Sequence, residues 1–432
     1  MRWDEAPLYT LPVRKPARSL VCALSREFRL SQRSRDGFPS SLGSTKPILY
    51  SEFTKMKKTL MVAALSGVFA TAAHAQSSVT LYGLIDAGIT YTNNQHGHAA
   101  WQETSGSING SRWGLRGAED LGGGLKAIFT LENGFGINNG TFKQGGREFG
   151  RQAFVGLASD QFGAVTLGRQ YDSMVDFVGP LALTGTQYGG TQFAHPFDND
   201  NLNNSFRVSN SIKYTSTNYA GFKFGGLYGF SNQAGGFSNN RAYSAGGSYS
   251  WNGLNVGAAF LQLNNAGTGN AGGAVSDDFT FGAKRQQTWG AGANYTFGPA
   301  TAGIVYTQTN LTGLNSISSA ASGFSNGITG FGGNSAHFQN FEGNVRYALT
   351  PALSLAGAYT YTRASLGGVH AHWNQVNLQT DYALSKRTDV YLQGVYQTVN
   401  EGSGLTANIN GLGAASSTNN QVAVTAGLRH RF

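Results

Sequence analysis

Cysteine is almost absent from this chain: its 432 residues hold one, Cys22. A disulfide framework is therefore excluded, and so is a metal or redox site built on paired thiolates. Proline is scarce too, with nine residues, and five of them (Pro7, Pro12, Pro16, Pro39, Pro47) fall near the start. Charged residues make up only 12% of the chain. Beyond residue 76 no apolar run approaches the roughly 20 residues that a transmembrane helix requires. Glycine, by contrast, is abundant, at 61 residues.

The net charge of +9 belongs mostly to the first 75 residues, which carry 12 Lys and Arg against 5 Asp and Glu. Residues 76–432 are left with only +2, so the basic total gives no ground for nucleic-acid binding. Within the early segment, Met56-Lys-Lys, the apolar run Leu60–Ala73 and Ala73-His-Ala75 before Gln76 form a charged region, a short apolar core and a small-residue cleavage site. That is the pattern of a secretory signal peptide over 56–75, with cleavage expected between Ala75 and Gln76. Residues 1–55 precede it and read as an artefact of the assigned start, which leaves 76–432 as the mature protein.

Downstream of about residue 79, short joins alternate with long polar connectors. The short ones are Glu119–Gly124, Ala158–Gly163, Thr217–Gly221, Ser250–Gly253, Gly298–Pro299, Leu349–Pro351 and Ser385–Lys386. The long ones are Thr92–Gly110, Gly134–Gly150, Tyr171–Phe206, Ser231–Arg241, Asn264–Lys284, Thr309–Ser335, Arg363–Ala371 and Thr398–Asn420. Seven joins and eight loops separate sixteen strands. An even-stranded antiparallel sheet with every long loop at one end is expected of an all-β, sixteen-stranded antiparallel transmembrane β-barrel.

The strands alternate as such a barrel demands. Val422, Val424, Ala426, Leu428 and Phe432 share one face, and Thr425, Gly427, Arg429 and Arg431 share the other. Near the start, Val79, Leu81, Ile85, Ala87 and Ile89 oppose Thr80, Tyr82, Asp86 and Thr90. One face meets an apolar medium and the other a polar one. A two-sheet sandwich gives the same alternation, but such folds rarely reach sixteen strands and do not sort their joins by length. A mean hydropathy of −0.24 fits a barrel with a wet lumen, because only every second residue faces lipid. Tyr91, Phe230, Trp251, Phe297, Tyr361 and Phe432 sit at strand ends, where interfacial aromatic girdles lie.

Several stretches resemble the general porins of Gram-negative bacteria, in particular the trimeric β-proteobacterial type. They are Ser78-Val-Thr-Leu-Tyr-Gly-Leu-Ile-Asp-Ala-Gly88, Ser111-Arg-Trp-Gly-Leu-Arg-Gly-Ala-Glu-Asp-Leu-Gly-Gly-Gly-Leu-Lys-Ala127, Leu131-Glu-Asn-Gly-Phe135, Arg151–Leu157, Val165–Tyr171 and the closing Gly427-Leu-Arg-His-Arg-Phe432. The resemblance spans essentially all of 76–432. It implies a homotrimer of water-filled pores in the outer membrane, in contact with its lipid and lipopolysaccharide, passing small hydrophilic solutes and ions. It also implies an inward-folded third external loop, here Tyr171–Phe206, and a terminal Phe432 read by the barrel-assembly machinery.

In that family, loop acids face wall arginines across the narrowest point. The matching acids are Asp172, Asp176, Asp198 and Asp200; the wall positions are Arg112, Arg151 and Arg207, with Glu132 as a wall carboxylate. Alternation independently turns Arg112 and Arg116 inward opposite Trp113 and Leu115, and turns Lys126 and Glu132 inward opposite Phe129 and Leu131. Arg151 shares its parity with Ala153, Val155 and Leu157, so its direction stays open, as does that of Arg207 at a strand edge. The balance leans weakly toward anions. An adhesin or receptor barrel, with loops that bind a surface ligand, is the competing reading.

Other signals carry little. Gly267-Thr-Gly-Asn-Ala-Gly272 matches a dinucleotide fingerprint but lies in a polar loop with no helix after it. The pairs His96/His98 and His370/His372 lack further ligands nearby, so neither a metal nor another cofactor is expected. With no serine elbow and no His-Glu-x-x-His helix, an enzyme is not expected.

Overall fold

The computed structural model describes residues 78–267, 272–317, 328–329 and 335–432. The signal peptide, its Ala75–Gln76 cleavage site and residues 1–55 lie outside the described residues.

Two-residue periodicity produces one antiparallel sheet of eighteen hydrogen-bonded segments. One segment, Ile328–Thr329, is only a two-residue bridge to its neighbour. Two others, His98–Ser105 and Arg112–Gly122, pair in succession along the same first strand and read as one interrupted strand. The result is sixteen strands: β1 Ser78–Gln95, β2 (the two pieces just named), β3 Leu125–Gly134, β4 Gln152–Ser159, β5 Gly163–Gln170, β6 Val208–Thr215, β7 Phe222–Gly229, β8 Arg241–Trp251, β9 Leu254–Ala266, β10 Phe281–Phe297, β11 Ala300–Ile317, β12 Ser335–Ala348, β13 Leu353–Leu366, β14 Val369–Ala383, β15 Thr388–Val399 and β16 Asn420–Arg431. Each pairs with its sequence neighbour, and β16 returns to β1 from Leu84↔Arg431 to Thr92↔Ala423. The closed ring leaves no sheet edge, which satisfies the backbone where no water is available.

Faces sort as expected. Val79, Leu81, Val155, Leu167, Ile304, Leu378 and Leu428 are exposed on the outside, while Asp86, Thr90, Glu132, Asn340, Glu342, Gln375 and Arg429 are buried on the inside. The short joins come out tight. Asn252-Gly253, for example, has φ of 45° and 86°, the left-handed pair that a two-residue hairpin favours.

Two of the expected long loops are instead hairpin extensions. The strand β1 continues to Gln95, turns at His96-Gly97 and returns through His98, where a loop over Thr92–Gly110 was expected. Likewise β13 and β14 meet at Gly367-Gly368, inside the expected loop Arg363–Ala371. The first extension is polar because strands beyond the apolar band lose the need for one greasy face, whereas at the second the inward Ala364, Leu366 and Ala371 are apolar and buried, so the alternation inverts.

The seam between β16 and β1 is completed by Phe432, whose N–H and C=O both bond to Gly83 at 3.0 Å. A Cβ on Gly83 would stand 2.5 Å from the Phe432 ring and 2.6 Å from the Arg112 carbonyl. Gly83→Ala is therefore expected to cost about 1–3 kcal/mol. The check is the denaturant midpoint of the refolded barrel, and an unchanged midpoint refutes this packing of the seam.

Candidate functional site

The interruption of β2 begins with Asp86. This fully buried carboxylate accepts the N–H groups of Ile108 (3.0 Å) and Asn109 (2.7 Å) and the Tyr391 hydroxyl (2.6 Å). It holds residues 106–111 as an excursion from the sheet that delivers Arg112. The Arg112 Nε donates to the Gly110 carbonyl at 3.0 Å.

Beside it, Glu132 on β3 is almost fully buried. It accepts Arg151 Nε at 2.7 Å, Tyr171 Oη at 3.1 Å and Tyr82 Oη at 3.0 Å. A second guanidinium nitrogen of Arg151 reaches the Tyr171 hydroxyl at 3.0 Å. Arg151 precedes β4, which starts at Gln152, so the parity of Ala153 and Val155 does not govern it. Arg207 lies with its guanidinium 5.8 Å from the Tyr171 ring centre, and its Nε has no hydrogen-bond partner among the described residues. Burial and the neighbouring Arg151 lower its pKa to about 10, so it stays cationic at neutral pH.

Arg112, Arg151, Tyr171 and Arg207 border a cavity of about 420 Å³ between the β2 excursion, loop 135–151 and segment 171–207. Among the described residues its lining includes Arg112, Lys143, Arg151 and Arg207 and no carboxylate. Lys143 had no signal of its own in the sequence. Two expected wall residues stand apart. Arg116 lies over the Tyr82 ring at 5.3 Å and does not line the cavity. Lys126 pairs with Asp160 at 2.9 Å by the short turn after β4, since its place at the start of β3 sets it at the short-turn end.

The four loop acids do not face the arginines. Asp172 is fully buried and caps its own segment, accepting from Met174 N–H (2.8 Å) and Asn201 Nδ2 (2.7 Å); burial pushes its pKa up to about 6. Asp198 folds the same segment through the N–H groups of Asn203 (3.0 Å) and Ser205 (3.1 Å), and burial followed by the charge of Asp200 raises it to about 6. Asp176 bonds to Lys213 on β6 at 2.5 Å, and its pKa is raised by burial. Asp200 meets His195 Nδ1 at 2.6 Å and the Thr307 hydroxyl at 2.5 Å. The spacing of these acids in sequence carries no information about which wall they meet, and buried backbone donors claimed two of them.

Segment 171–206 is fastened to polar-face residues of many strands. The ring Nε2 of His195 meets Glu342 on β12 at 3.0 Å, and the same carboxylate accepts Leu183 N–H at 2.8 Å. Asn344 donates to the Leu181 carbonyl at 3.0 Å, and Gln192 donates to Thr425 on β16 at 3.0 Å. Phe197 packs edge-on to Phe338 and Trp373, with ring centres 6.0 and 5.9 Å apart. Burial alone would lower the pKa of His195, but the charge of Asp200 and hydrogen bonds to Asp200 and Glu342 push it up to about 10. The opposite pull acts on Asp200: burial would raise it, and His195 holds it below the ordinary range.

Beyond this set, Arg169 pairs with Asp278, which also accepts the Arg207 N–H at 3.2 Å. Fully buried Arg429 bonds to Asp389 at 2.9 Å and Asp381 at 3.1 Å. Alternation could have found Glu342, opposite Phe341 and Val345 in parity. Nothing in sequence marked His195.

A closed sixteen-stranded barrel with an apolar exterior and a charged, polar interior defines a membrane pore. Residues 60–403 match the Gram-negative porin family, and the chain belongs to it. An outer membrane porin protein of Bordetella pertussis is 34% identical over 410 residues, covering 87% of this chain and 100% of that one. Outer membrane porin protein 32 of Delftia acidovorans is 37% identical over 182 residues, covering 40% of this chain and 50% of the relative. Among solved structures, an anion-selective porin from Comamonas acidovorans superposes with a TM-score of 0.65 at 23% identity, over 83% of this chain and 100% of that chain; at that identity the likeness shows the fold alone. A trimer form of OmpT from Vibrio cholerae gives 0.56 at 16% identity, over 82% and 99%. The protein is thus an outer-membrane pore for passive diffusion of small hydrophilic solutes and ions.

Proposed function

We propose that the pore prefers anions and that its throat is the cavity between segment 171–207 and Arg112, Arg151 and Arg207. One observation carries the reading: four cations and no carboxylate line that cavity, while Glu132 is held by Arg151. The loop acids support it by their absence from the lining, since each is tied to its own segment or to another wall. Charges a few ångströms from a passing ion act within the Debye length of about 8 Å, so salt leaves them effective. The structure named as an anion-selective porin fits the same preference. In this reading segment 171–206 folds inward as the family's third loop does, and the barrel works as a homotrimer in contact with lipopolysaccharide.

Arg112→Gln is expected to move the reversal potential in a salt gradient toward cations without loss of folded protein, since a lumen-facing change disturbs no lipid contact. Shortening segment 184–191 is expected to raise single-channel conductance. If neither variant differs from the wild type, the throat lies elsewhere.

For the exported form we propose residues 76–432, with Gln76 as the first residue. Amino-terminal sequencing of outer-membrane material tests this, and recovery of residues 1–55 would contradict it. We further propose that Phe432 serves the barrel-assembly machinery. Its deletion should lower the folded amount in the outer membrane but leave the conductance of assembled pores unchanged, whereas normal levels would reduce it to a seam residue.

A further inference from the structure

The outer wall of β10–β13 carries a groove of about 600 Å³ that plays no part in conduction. Its floor is set by the small residues Ala291, Ala293 and Gly343, and its ridges by Ile304, Tyr306, Phe341 and Tyr359. Ile304 is 69% exposed, and a Cβ on Gly343 would meet nothing within 4 Å, so the trough is open.

The strand registers arrange what lies above it toward the long-loop end. The row containing Gly343 pairs Ile304 with Gly343 and Gly343 with Tyr359. Next comes Tyr306–Phe341–Tyr361, then Gln308–Gln339–Arg363–His372, then Asn310–His337–Ser365–His370. Outward-facing side chains thus pass from aliphatic to aromatic to cationic and imidazole-bearing within three rows. Tyr361 joins the levels, with its hydroxyl 3.0 Å from His372 Nδ1 and its ring stacked on that imidazole at 6.0 Å. Arg363 is exposed and has no ion pair among the described residues. The only carboxylates of β11–β14 are Glu342 and Asp381, and both are buried on the opposite, inner face.

We propose that this face is a lipid site: the groove takes an acyl chain, and Arg363 with His372 and the His337/His370 row holds the phosphate of the same lipid. The occupant is a phosphorylated, acylated lipid of the outer leaflet. Charge complementarity sets the headgroup, because the Arg363 guanidinium beside imidazoles, with exposed Arg285 on the same wall and no acid on the face, selects an anion. The aromatic row between charge and groove marks the interfacial level that such a lipid crosses. The inference rests on the outer-membrane placement of the pore, and conduction reports on the pore separately.

The test uses the purified full chain in detergent, with retained lipid measured by native mass spectrometry. Intact lipopolysaccharide and the same material stripped of phosphate are the probes. Wild type is expected to retain the phosphorylated form about tenfold better. Arg363→Glu should remove that preference, Gly343→Trp should lower retention of both forms, and single-channel conductance should not change in either variant. Equal retention of the two probes by wild type overturns the headgroup half without need of any variant. Undiminished retention by Gly343→Trp overturns the groove.

Discussion

Replacing Glu342 with alanine is expected to release segment 181–195 and raise single-channel conductance. The carboxylate is a buried junction: it accepts His195 Nε2, Leu183 N–H and Asn344 Nδ2 at 3.0, 2.8 and 2.7 Å. Without it His195 keeps one of its two acidic partners, and the Leu183 N–H loses its acceptor. Breaking a buried charge cluster by removing one member costs about 3–5 kcal/mol, more than the local hydrogen bonds of a loop can absorb. Planar-bilayer recordings read the outcome, and unchanged conductance with normal current noise would mean that the segment is held by its apolar contacts alone.

The same cluster fixes a direction in pH. His195 has its pKa raised from 6.5 to about 10 by Asp200 and Glu342 against the effect of burial. A raised folded-state value means stabilisation that is complete below the unfolded value and lost as pH climbs through the folded one. The latch should therefore be fully stabilised below about pH 6.5 and weaken progressively up to about pH 10, with conductance rising on the alkaline side. The Glu342→Ala pore should lack that alkaline transition. An opening transition of the wild type on acidification alone contradicts this assignment.

Replacing Arg151 with methionine is expected to have a comparable effect on stability. Glu132 is buried with its side chain 4% exposed, and Arg151 is its one cationic bond at 2.7 Å. A stranded carboxylate should cost about 3–5 kcal/mol, visible as a lower denaturant midpoint of the refolded barrel. The double variant Glu132→Gln/Arg151→Met should recover most of that loss, because neither group is then left charged without a partner. A single variant as stable as the wild type, or a double variant no better than the single, would show that Glu132 does not depend on Arg151.

The fold was legible because its signals repeat. Alternation such as Val424, Ala426, Leu428 against Thr425 and Arg429 recurs on every strand, and the tight turns carry their own chemistry, as in Asn252-Gly253. Legibility failed where the usual alternation gives out: the stretch leading to His96-Gly97 is polar on both faces and resembles a loop, and beside Gly367-Gly368 the inward positions Ala364, Leu366 and Ala371 are apolar and buried, which inverts the pattern. The site was half legible. Parity and resemblance together brought out Arg112 and Glu132, the resemblance alone brought out Arg151 and Arg207, and the direction of Arg151 escaped parity because the strand begins one residue after it. The acids of 171–206 could not be placed, because a loop has no period and its carboxylates bind whatever donors its folding brings near. Asp172 and Asp198 bond to their own segment, Asp200 to His195, and Asp176 to Lys213.

The most direct test of the anion-preferring throat is the zero-current potential of the wild-type pore across a tenfold potassium chloride gradient in a planar bilayer. Arg112, Lys143, Arg151 and Arg207 around a cavity without carboxylates predict a potential of the sign set by chloride, retained at physiological ionic strength. A potential of the sign set by potassium would contradict the account.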